Sequence, residues 1–172
     1  MPDRGRRPGG VNRALVHRLL PGSCAALAVL VLDQAVKAWL LDLLVVLGGH
    51  ARVTGYFNLV MVWNTGVSFG LLQAGQEARW LFILLSLGIV VGLIVWLARA
   101  ETRALALALG LVIGGALGNV IDRLRFGAVA DFFDFHYASY HWPAFNIADA
   151  AIVLGVAVIF LQSLLGPRSL AK

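Results

Sequence analysis

The stretch FNIADAAIVLGVAVIFLQSLL, residues 145–165, is an almost unbroken apolar run with one carboxylate, Asp149, near its start. About 20 mainly apolar residues are enough to cross a bilayer as a helix, so 147–165 is predicted to span a membrane. Asn146 is a natural N-cap for that helix, and Pro143 ends any regular structure before it. Ionisable groups are costly in hydrocarbon and are often functional there. Asp149 is therefore the first candidate functional residue.

The rest of the sequence predicts three further spans. Of the 172 residues, 60% are hydrophobic and 13% are charged, and the mean hydropathy is +0.84, which indicates an integral membrane protein. Charges that include Asp33 and Lys37 interrupt the first of the three apolar runs, and no small-residue cleavage site follows it. This run is therefore predicted to be a retained helix and not a cleaved signal peptide. The three further spans are predicted at about 23–47, 80–98 and 104–121.

The basic residues predict the orientation. Nine of the fourteen Lys and Arg residues fall before residue 23, in the link 99–103 and at the C-terminal end, which share one side of a four-span topology. Because loops rich in Lys and Arg stay in the cytoplasm, both termini are predicted to be cytoplasmic. Topology thus accounts for the net charge of +5, so no nucleic-acid partner is predicted. We expect a disordered tail over 1–22, one membrane-embedded domain over 23–166, and a short tail over 167–172.

Two longer segments connect the spans on the opposite, outer face. Residues 53–63 are rich in β-branched and aromatic side chains and precede a turn-forming NTG, so a small antiparallel sheet is predicted there. QAGQEARW, residues 73–80, predicts a short surface helix before the second span. The predicted fold class is a membrane all-α protein with four transmembrane helices, a small outer-face β-sheet and a short surface helix.

Polar residues collect at the outer ends of the predicted helices. The third span ends near Asp122 and the fourth begins near Asn146, so the two ends lie at one membrane depth. A shared polar site on the outer face is the economical explanation. Its candidate members are Asp33, Lys37, Asn64, Gly66, Asn119, Asp122, Arg123, Asp131, Asp134, Asn146 and Asp149.

Several of these residues also have a purely structural explanation. Asp33 and Lys37 are four residues apart on one helix face and could neutralise each other. Asp122 could pair with a nearby arginine at its helix end. Asp149 could be an acid that the helix dipole favours in a first turn. Position alone leaves these alternatives open.

The acidic segment before the fourth span also contains two histidines. Asp131, Asp134, His136 and His141 follow the pattern D-x2-D-x-H-x4-H, which matches none of the regular zinc spacings. The only cysteine, Cys24, rules out a thiolate metal cluster and a disulfide within the chain. The serines have no partner base that the sequence identifies, so serine hydrolysis has no support. Neither a metal nor another cofactor is predicted.

Two carboxylates from different segments that meet at one depth indicate acid–base chemistry. Carboxylates about 3 Å apart cannot both ionise, so such a pair shares a proton. In peptide hydrolysis the ionised member activates water while the protonated member polarises the scissile carbonyl. A proton-coupled carrier is the alternative, but carriers place their acids near the midplane and often within internal repeats. The acids here cluster at one face and no repeat is evident, which favours an enzyme.

Five motifs, in order along the chain, carry a family resemblance. The resemblance is to lipoprotein signal peptidase, also called signal peptidase II, and covers about residues 24–165. It implies a four-span aspartic endopeptidase of the bacterial inner membrane. Such an enzyme removes the signal peptide from prolipoproteins whose cysteine already carries diacylglycerol, and it cuts before that cysteine. The motifs are DQAVK at 33–37, NTGVSFG at 64–70, GGALGNVIDR at 114–123, GAVADF at 127–132 and PAFNIADAAI at 143–152.

The resemblance also implies roles for single residues and partners. Asp131 and Asp149 match the catalytic aspartates of the family, which implies an active site at the outer, periplasmic face. Ala150 stands where the family often has serine, so no mechanism should depend on a hydroxyl there. We expect a monomer whose partners are lipid-modified prolipoproteins and membrane lipid. The residues implied to bind substrate or to support the aspartate pair are Asp33, Lys37, Asn64, Gly66, Asn119, Asp122, Arg123 and Asn146.

Overall fold

The computed structural model describes residues 10–66 and 76–165, except for the side chains of 10–15, 17, 18 and 76–78. This part of the chain is mostly helical and carries one small antiparallel sheet, as the sequence predicts. The helices are α1 (Gly10–Val46), α2 (Gln76–Leu97), α3 (Arg103–Phe126) and α4 (Ile147–Leu165). The strands, paired in the order β1-β2-β3-β4, are β1 (His50–Arg52), β2 (Phe57–Asn64), β3 (Val129–Tyr137) and β4 (Tyr140–His141).

Three helices in the described residues are long and apolar enough to cross a membrane: α2 from Arg79, α3 and α4. In α3, 61% of the apolar window is buried, against 22% in α2 and 17% in α4, so α3 is the central helix. The outer faces of α2 and α4 expose large apolar side chains such as Leu84 and Val153, as expected where lipid is the solvent. The predicted fourth span lies in α1, which is not among the three and which carries Asp33 and Lys37.

Two helix starts differ from the predictions. Helix α1 begins at Gly10, so the predicted disordered tail is wrong for residues 10–22, while 1–9 lie outside the described residues. Good helix formers such as Ala14 and Leu15 extend the helix toward the N-terminus. Residues 76–80 are the first turns of α2 and not a separate surface helix, because no Gly or Pro separates them from the span. Residues 73–75 and 166–172 lie outside the described part of the chain.

Small residues on α3 let its neighbours approach closely. A Cβ atom added at Gly110 or Gly114 would overlap backbone oxygen atoms of α1, and one added at Gly115 would overlap the backbone of α4. Close helix contact through small residues is the usual packing mode in lipid. Gly88 and Gly92 of α2 are also four residues apart, but nothing lies within 4 Å of a Cβ atom added at either position. This face of α2 therefore points away from the bundle.

The sheet combines the segment between α1 and α2 with the segment between α3 and α4. Strand β3, which the sequence analysis does not predict, pairs with β2 in a register that places Asp131 opposite Val62, with an irregularity between Leu59 and Val62. Helix α3 ends at Phe126, and its C-cap, Gly127, has a left-handed φ of 82° and an N–H that donates to the Arg123 carbonyl oxygen. Glycine adopts this conformation without strain. The turn sends the chain directly from the C-terminal end of α3 into β3, so Asp131 lies next to that end.

Candidate active site

Asp131 is held inside the protein by two asparagine side chains. It is 2% exposed and accepts hydrogen bonds from Asn146 Nδ2 at 2.7 Å and from Asn64 Nδ2 at 3.2 Å. The Gly66 N–H donates to Asn64 Oδ1 at 3.1 Å, which turns the amide of Asn64 so that its NH₂ group faces the carboxylate. Asn64 and Gly66 therefore act on Asp131 as one unit.

The surroundings of Asp131 change its acidity. Burial, and after it the charge of the nearby Asp149, raises the pKa of the Asp131 carboxyl to about 7. The hydrogen bonds from Asn64 and Asn146 and the charge of Lys37 act in the opposite direction but do not cancel the effect. A carboxyl group with a pKa near neutrality can hold or release a proton under physiological conditions, as a general acid requires.

Asp149 lies in the first turn of α4 and takes part in a reciprocal cap. Its N–H donates to Asn146 Oδ1 at 3.0 Å, and the Asn146 N–H donates to Asp149 Oδ2 at 3.2 Å, which is the capping-box arrangement. The acid is thus a helix-start residue, as one structural explanation predicts. It also accepts a hydrogen bond from Asn119 Nδ2 of α3 at 2.8 Å, a contact that capping does not need.

Asn146 brings the two carboxylates together. It is 1% exposed; its side chain binds Asp131 Oδ1 and its backbone N–H binds Asp149 Oδ2. The same Nδ2 atom lies 3.3 Å from Asn119 Oδ1. A strand residue and a helix residue from separate segments therefore contact one buried asparagine. Both aspartates that the family resemblance implies as catalytic are in this site.

A buried ionic cluster lies behind the pair. Lys37 Nζ is 2.9 Å from Asp33 Oδ2 and 2.7 Å from Asp122 Oδ2, and it donates to Asn119 Oδ1 at 3.3 Å. The predicted neutralisation of Asp33 by Lys37 is present. The alternative arginine partner for Asp122 is wrong, because the lysine of α1 takes that place. Asn119 also binds Asp149, so this one residue connects the ionic cluster to the pair of aspartates.

Two residues complete the surroundings of the site. Arg123 lies at its edge, with Nη1 3.5 Å from the Asn119 carbonyl oxygen and Cζ 5.3 Å from the Phe82 ring centroid. Sequence reasoning did not select Gln34, whose Nε2 donates to Asp122 Oδ1 at 3.0 Å and to Asp33 Oδ2 at 3.2 Å. The sequence position of Gln34 could have indicated its role, because it is a polar residue next to a charged one within an apolar helix.

Asp134 lies on the same strand but outside this site. Asn58 Nδ2 donates to its Oδ2 at 2.9 Å, and His141 Nδ1 lies 2.9 Å from both of its oxygens. Burial raises the pKa of Asp134, but these hydrogen bonds and the charges of His141 and His136 outweigh it and hold the pKa below its usual value. Within the described ranges, no three His, Cys, Asp or Glu side chains are arranged to hold a metal ion. The residues of the D-x2-D-x-H-x4-H pattern are therefore split between two places: Asp131 lies in the candidate active site, whereas Asp134 contacts His141 outside it.

A side groove reaches one carboxylate only. A cavity of about 580 Å³ is open to the outside of α4 and has Asp149 in its wall. Asp149 is half-buried, whereas Asp131 lies behind it in the interior. A concave site with mostly apolar walls and one polar group suits a mainly apolar ligand. The other lining residues are Trp142, Pro143, Ala144, Phe145, Ala150, Val153, Leu154 and Ala157.

Comparison with known proteins places this geometry in a family. Residues 25–165 match the family model described as signal peptidase (SPase) II. The chain is 50% identical over 147 residues to a lipoprotein signal peptidase of Methylorubrum extorquens, covering 83% of this chain and 85% of the relative. It is 48% identical over 167 residues to a lipoprotein signal peptidase of Cupriavidus necator, covering 94% of each chain.

A solved structure supports the same assignment. A bacterial membrane enzyme determined by the in meso method at 1.9 Å resolution has a TM-score of 0.70 and 27% identity, covering 85% of this chain and 94% of that one. The resemblance drawn from the five sequence motifs is confirmed, and the chain belongs to the signal peptidase II family.

Proposed function

We propose that this chain is an aspartic endopeptidase that removes the signal peptide from diacylglyceryl-modified prolipoproteins, cutting immediately before the lipidated cysteine. Membership of the signal peptidase II family makes it a peptidase of the bacterial membrane. The relatives named lipoprotein signal peptidase support lipid-modified prolipoproteins as its substrates. Asp131 and Asp149 are the catalytic residues in this proposal.

One observation carries the catalytic assignment: a single buried residue, Asn146, binds both carboxylates. The pair is unequal, because Asp131 is buried with a pKa of about 7 while Asp149 borders the groove. A buried carboxyl group beside a second carboxylate retains a proton. Asp131 therefore holds the proton at rest, and Asp149 faces the entering substrate and acts as the base.

The reaction follows from this asymmetry. Asp149 takes a proton from a water molecule as the water oxygen bonds to the scissile carbonyl carbon, and Asp131 gives its proton to the carbonyl oxygen. The product of this step is a neutral tetrahedral diol. The carbon–nitrogen bond then breaks as Asp149 gives its proton to the leaving amine, and one diol hydroxyl returns a proton to Asp131 as the carbonyl forms again. Both carboxyl groups end in their starting states.

The membrane arrangement is part of the proposal. Helix α1 has 37 residues, about 55 Å at 1.5 Å per residue, which exceeds the roughly 30 Å hydrocarbon core. Its Asp33 and Lys37 are buried in mutual contact, so their charges do not prevent insertion. We take α1 as the fourth span of a monomer, with both termini cytoplasmic and the site at the outer face of the inner membrane. The substrate's signal helix then lies along α4, where the groove is apolar.

The test is cleavage of a purified diacylglyceryl-modified prolipoprotein by the protein in nanodiscs. Asp131→Asn and Asp149→Asn should each lower turnover roughly 10³-fold or more, because each removes one member of a pair that acts as a unit. Asp134→Asn is the matched control, since it changes a buried acid of the same strand outside the site, and its turnover should stay close to that of the unchanged protein. Mass spectrometry of the products checks the cleavage position.

Two results would contradict the proposal. Normal turnover in Asp131→Asn or Asp149→Asn would remove that residue from the catalytic pair. Proton flux across liposomes containing the protein, with no peptide cleaved, would instead support the proton-coupled carrier that also uses membrane acids. The outer-face position of the pair opposes that second function, because carriers place their acids near the midplane.

A further inference from the structure

Two backbone N–H groups next to the catalytic pair are bound by buried carboxylates from other helices. Ala130 and Ala148 each directly precede one of the two catalytic aspartates. The Ala130 N–H donates to Asp122 Oδ2 of α3 at 3.2 Å, and the Ala148 N–H donates to Asp33 Oδ1 of α1 at 2.9 Å. The strand and the helix that carry the pair are therefore each attached, one residue away from the aspartate, to a different carboxylate.

Lys37 connects these two carboxylates. Its ammonium group contacts Asp33 at 2.9 Å, Asp122 at 2.7 Å and the side-chain oxygen of Asn119 at 3.3 Å. An ammonium group only donates hydrogen bonds, so it fixes which end of the Asn119 amide it faces. The NH₂ group of that amide is then directed at Asp149, 2.8 Å away.

We infer that Asp33, Lys37 and Asp122 form one positioning unit, which sets the separation and orientation of Asp131 and Asp149 and does not touch the substrate. The inference rests on the proposed function and assigns a single role where the family resemblance left substrate binding and support of the pair both open. Its three members are 0%, 3% and 0% exposed.

The members of the unit are buried and are already bound to protein groups. Lys37 has three donors and three partners. Both oxygens of Asp33 and of Asp122 accept hydrogen bonds from protein groups, with Gln34 completing the set. A substrate group could reach this cluster only if one of these buried contacts were broken, and breaking a buried ion pair is costly.

Asp122 offers a graded test. In Asp122→Asn the amide oxygen can keep the contacts with Ala130 and Lys37, while Gln34 turns its amide to accept from the new NH₂ group. Asp122→Ala removes every contact. Because misplacement of catalytic groups by about 1 Å costs about 100-fold, we expect kcat to fall about 100-fold in Asp122→Ala with KM unchanged, and to fall much less in Asp122→Asn. Wild-type kcat in Asp122→Ala, or a raised KM with unchanged kcat, would overturn the inference.

Lys37→Met adds a readout that a merely structural role would not change. The charged groups that face Asp131 are Asp149 of α4, Lys37 of α1 and Arg123 of α3. The charge of Lys37 lowers the pKa of Asp131, so its removal should raise that pKa and move the alkaline limb of the kcat/KM profile to higher pH. Arg52→Gln is the control, because Arg52 is an exposed cation of β1. Its removal should leave the alkaline limb of the kcat/KM profile at the same pH. A limb that is unchanged in Lys37→Met would contradict the inference.

The outcome separates this inference from the proposed function. Unfolding is followed by Tm for every variant, and if Lys37→Met does not fold, the Asp122 pair still decides. Cleavage by the unchanged protein and its loss in Asp131→Asn support the proposed function whatever the positioning variants do. If cleavage follows that pattern while Asp122→Ala retains normal kcat, the positioning inference alone fails. If the unchanged protein cleaves no lipid-modified substrate, the proposed function fails and the inference fails with it.

Discussion

Asp131 and Asp134 lie three residues apart on β3, and both are buried, at 2% and 6% exposure, yet their acidities change in opposite directions. Burial acts on both. Burial, and after it the negative charge of Asp149, raises the pKa of Asp131 to about 7. At Asp134 burial also raises the pKa, but the hydrogen bonds from Asn58 and His141 and the charges of His141 and His136 outweigh it and hold the pKa below its usual value. The comparison shows that the neighbours of a buried acid decide whether the effect of burial on its pKa is reinforced or reversed.

Among the variants that compare the surroundings of Asp131 and Asp134, the largest expected effect comes from removing the amide partner of each acid. Asn146→Ala removes the side-chain donor to Asp131 and the side-chain N-cap that accepts from the Asp149 N–H, so kcat should fall about 100-fold and the free energy of unfolding by about 1 kcal/mol. Asn58→Ala is the matched variant at Asp134, and it should lower stability by about 1 to 2 kcal/mol with kcat unchanged. The measurements are kcat and Tm. Equal kcat in the two variants would mean that the surroundings of Asp131 and of Asp134 do not differ in their importance for catalysis.

A smaller effect is expected on how stability changes with pH, and the direction of this change differs between Asp131 and Asp134. Asp131 has a folded pKa of about 7 against 3.8 unfolded, so the folded state binds more protons and stability falls as pH rises between these values. Asp131→Asn should therefore have a higher Tm than the unchanged protein near pH 7, and this advantage should shrink toward pH 4. A constant Tm difference across this range would contradict the raised pKa.

Asp134 should show the reverse dependence. Its folded pKa lies below 3.8, so its contribution to stability is present above that value and is lost as pH falls through the folded pKa. Asp134→Asn should lower Tm at pH 7, and the difference should close below pH 4. A variant that instead gains stability at neutral pH would show that the contacts with Asn58 and His141 do not compensate for burial.

The smallest effect is expected at His141, whose side chain is 52% exposed. His141→Phe removes a partner of Asp134, but an exposed pair contributes only about 0.5 kcal/mol, so Tm should fall slightly and kcat should not change. Thermal unfolding and the cleavage assay measure both quantities. A loss of kcat comparable to that in Asn146→Ala would mean that the Asp134 cluster also supports the catalytic pair.

Local patterns predicted some elements well. The apolar run after Asn146 begins a helix at Ile147, as predicted, and the helix continues to Leu165, the last described residue. Hydropathy and an N-cap predict this start because both act within a few residues of chain. The motif resemblance selected Asp131 and Asp149, and the structure places both beside Asn146. Strand β3 was not predicted, since its pairing with β2 joins segments more than 60 residues apart.

Local sequence patterns also do not predict contacts between residues that are distant in the chain. Asp33 and Lys37 form a recognisable i, i+4 pair, but nothing in the spacing indicates that Lys37 also binds Asp122, 85 positions away in the chain. Gln34 is not predicted as a site residue, because its amide side chain carries no charge. Its importance comes from the two carboxylates that its side chain reaches.

The sequence by itself determined the apolar helices, the family and the residues expected at the site, because hydropathy, capping and motif spacing are properties of the chain. Only the tertiary structure decided which acid is buried beside another acid and which beside an imidazole. It also decided that Lys37 connects the carboxylates bound next to the proposed catalytic pair. The physical reason is that a pKa and a hydrogen-bond partner depend on distances in space, and close packing of α1 and α4 on the glycines of α3 sets those distances.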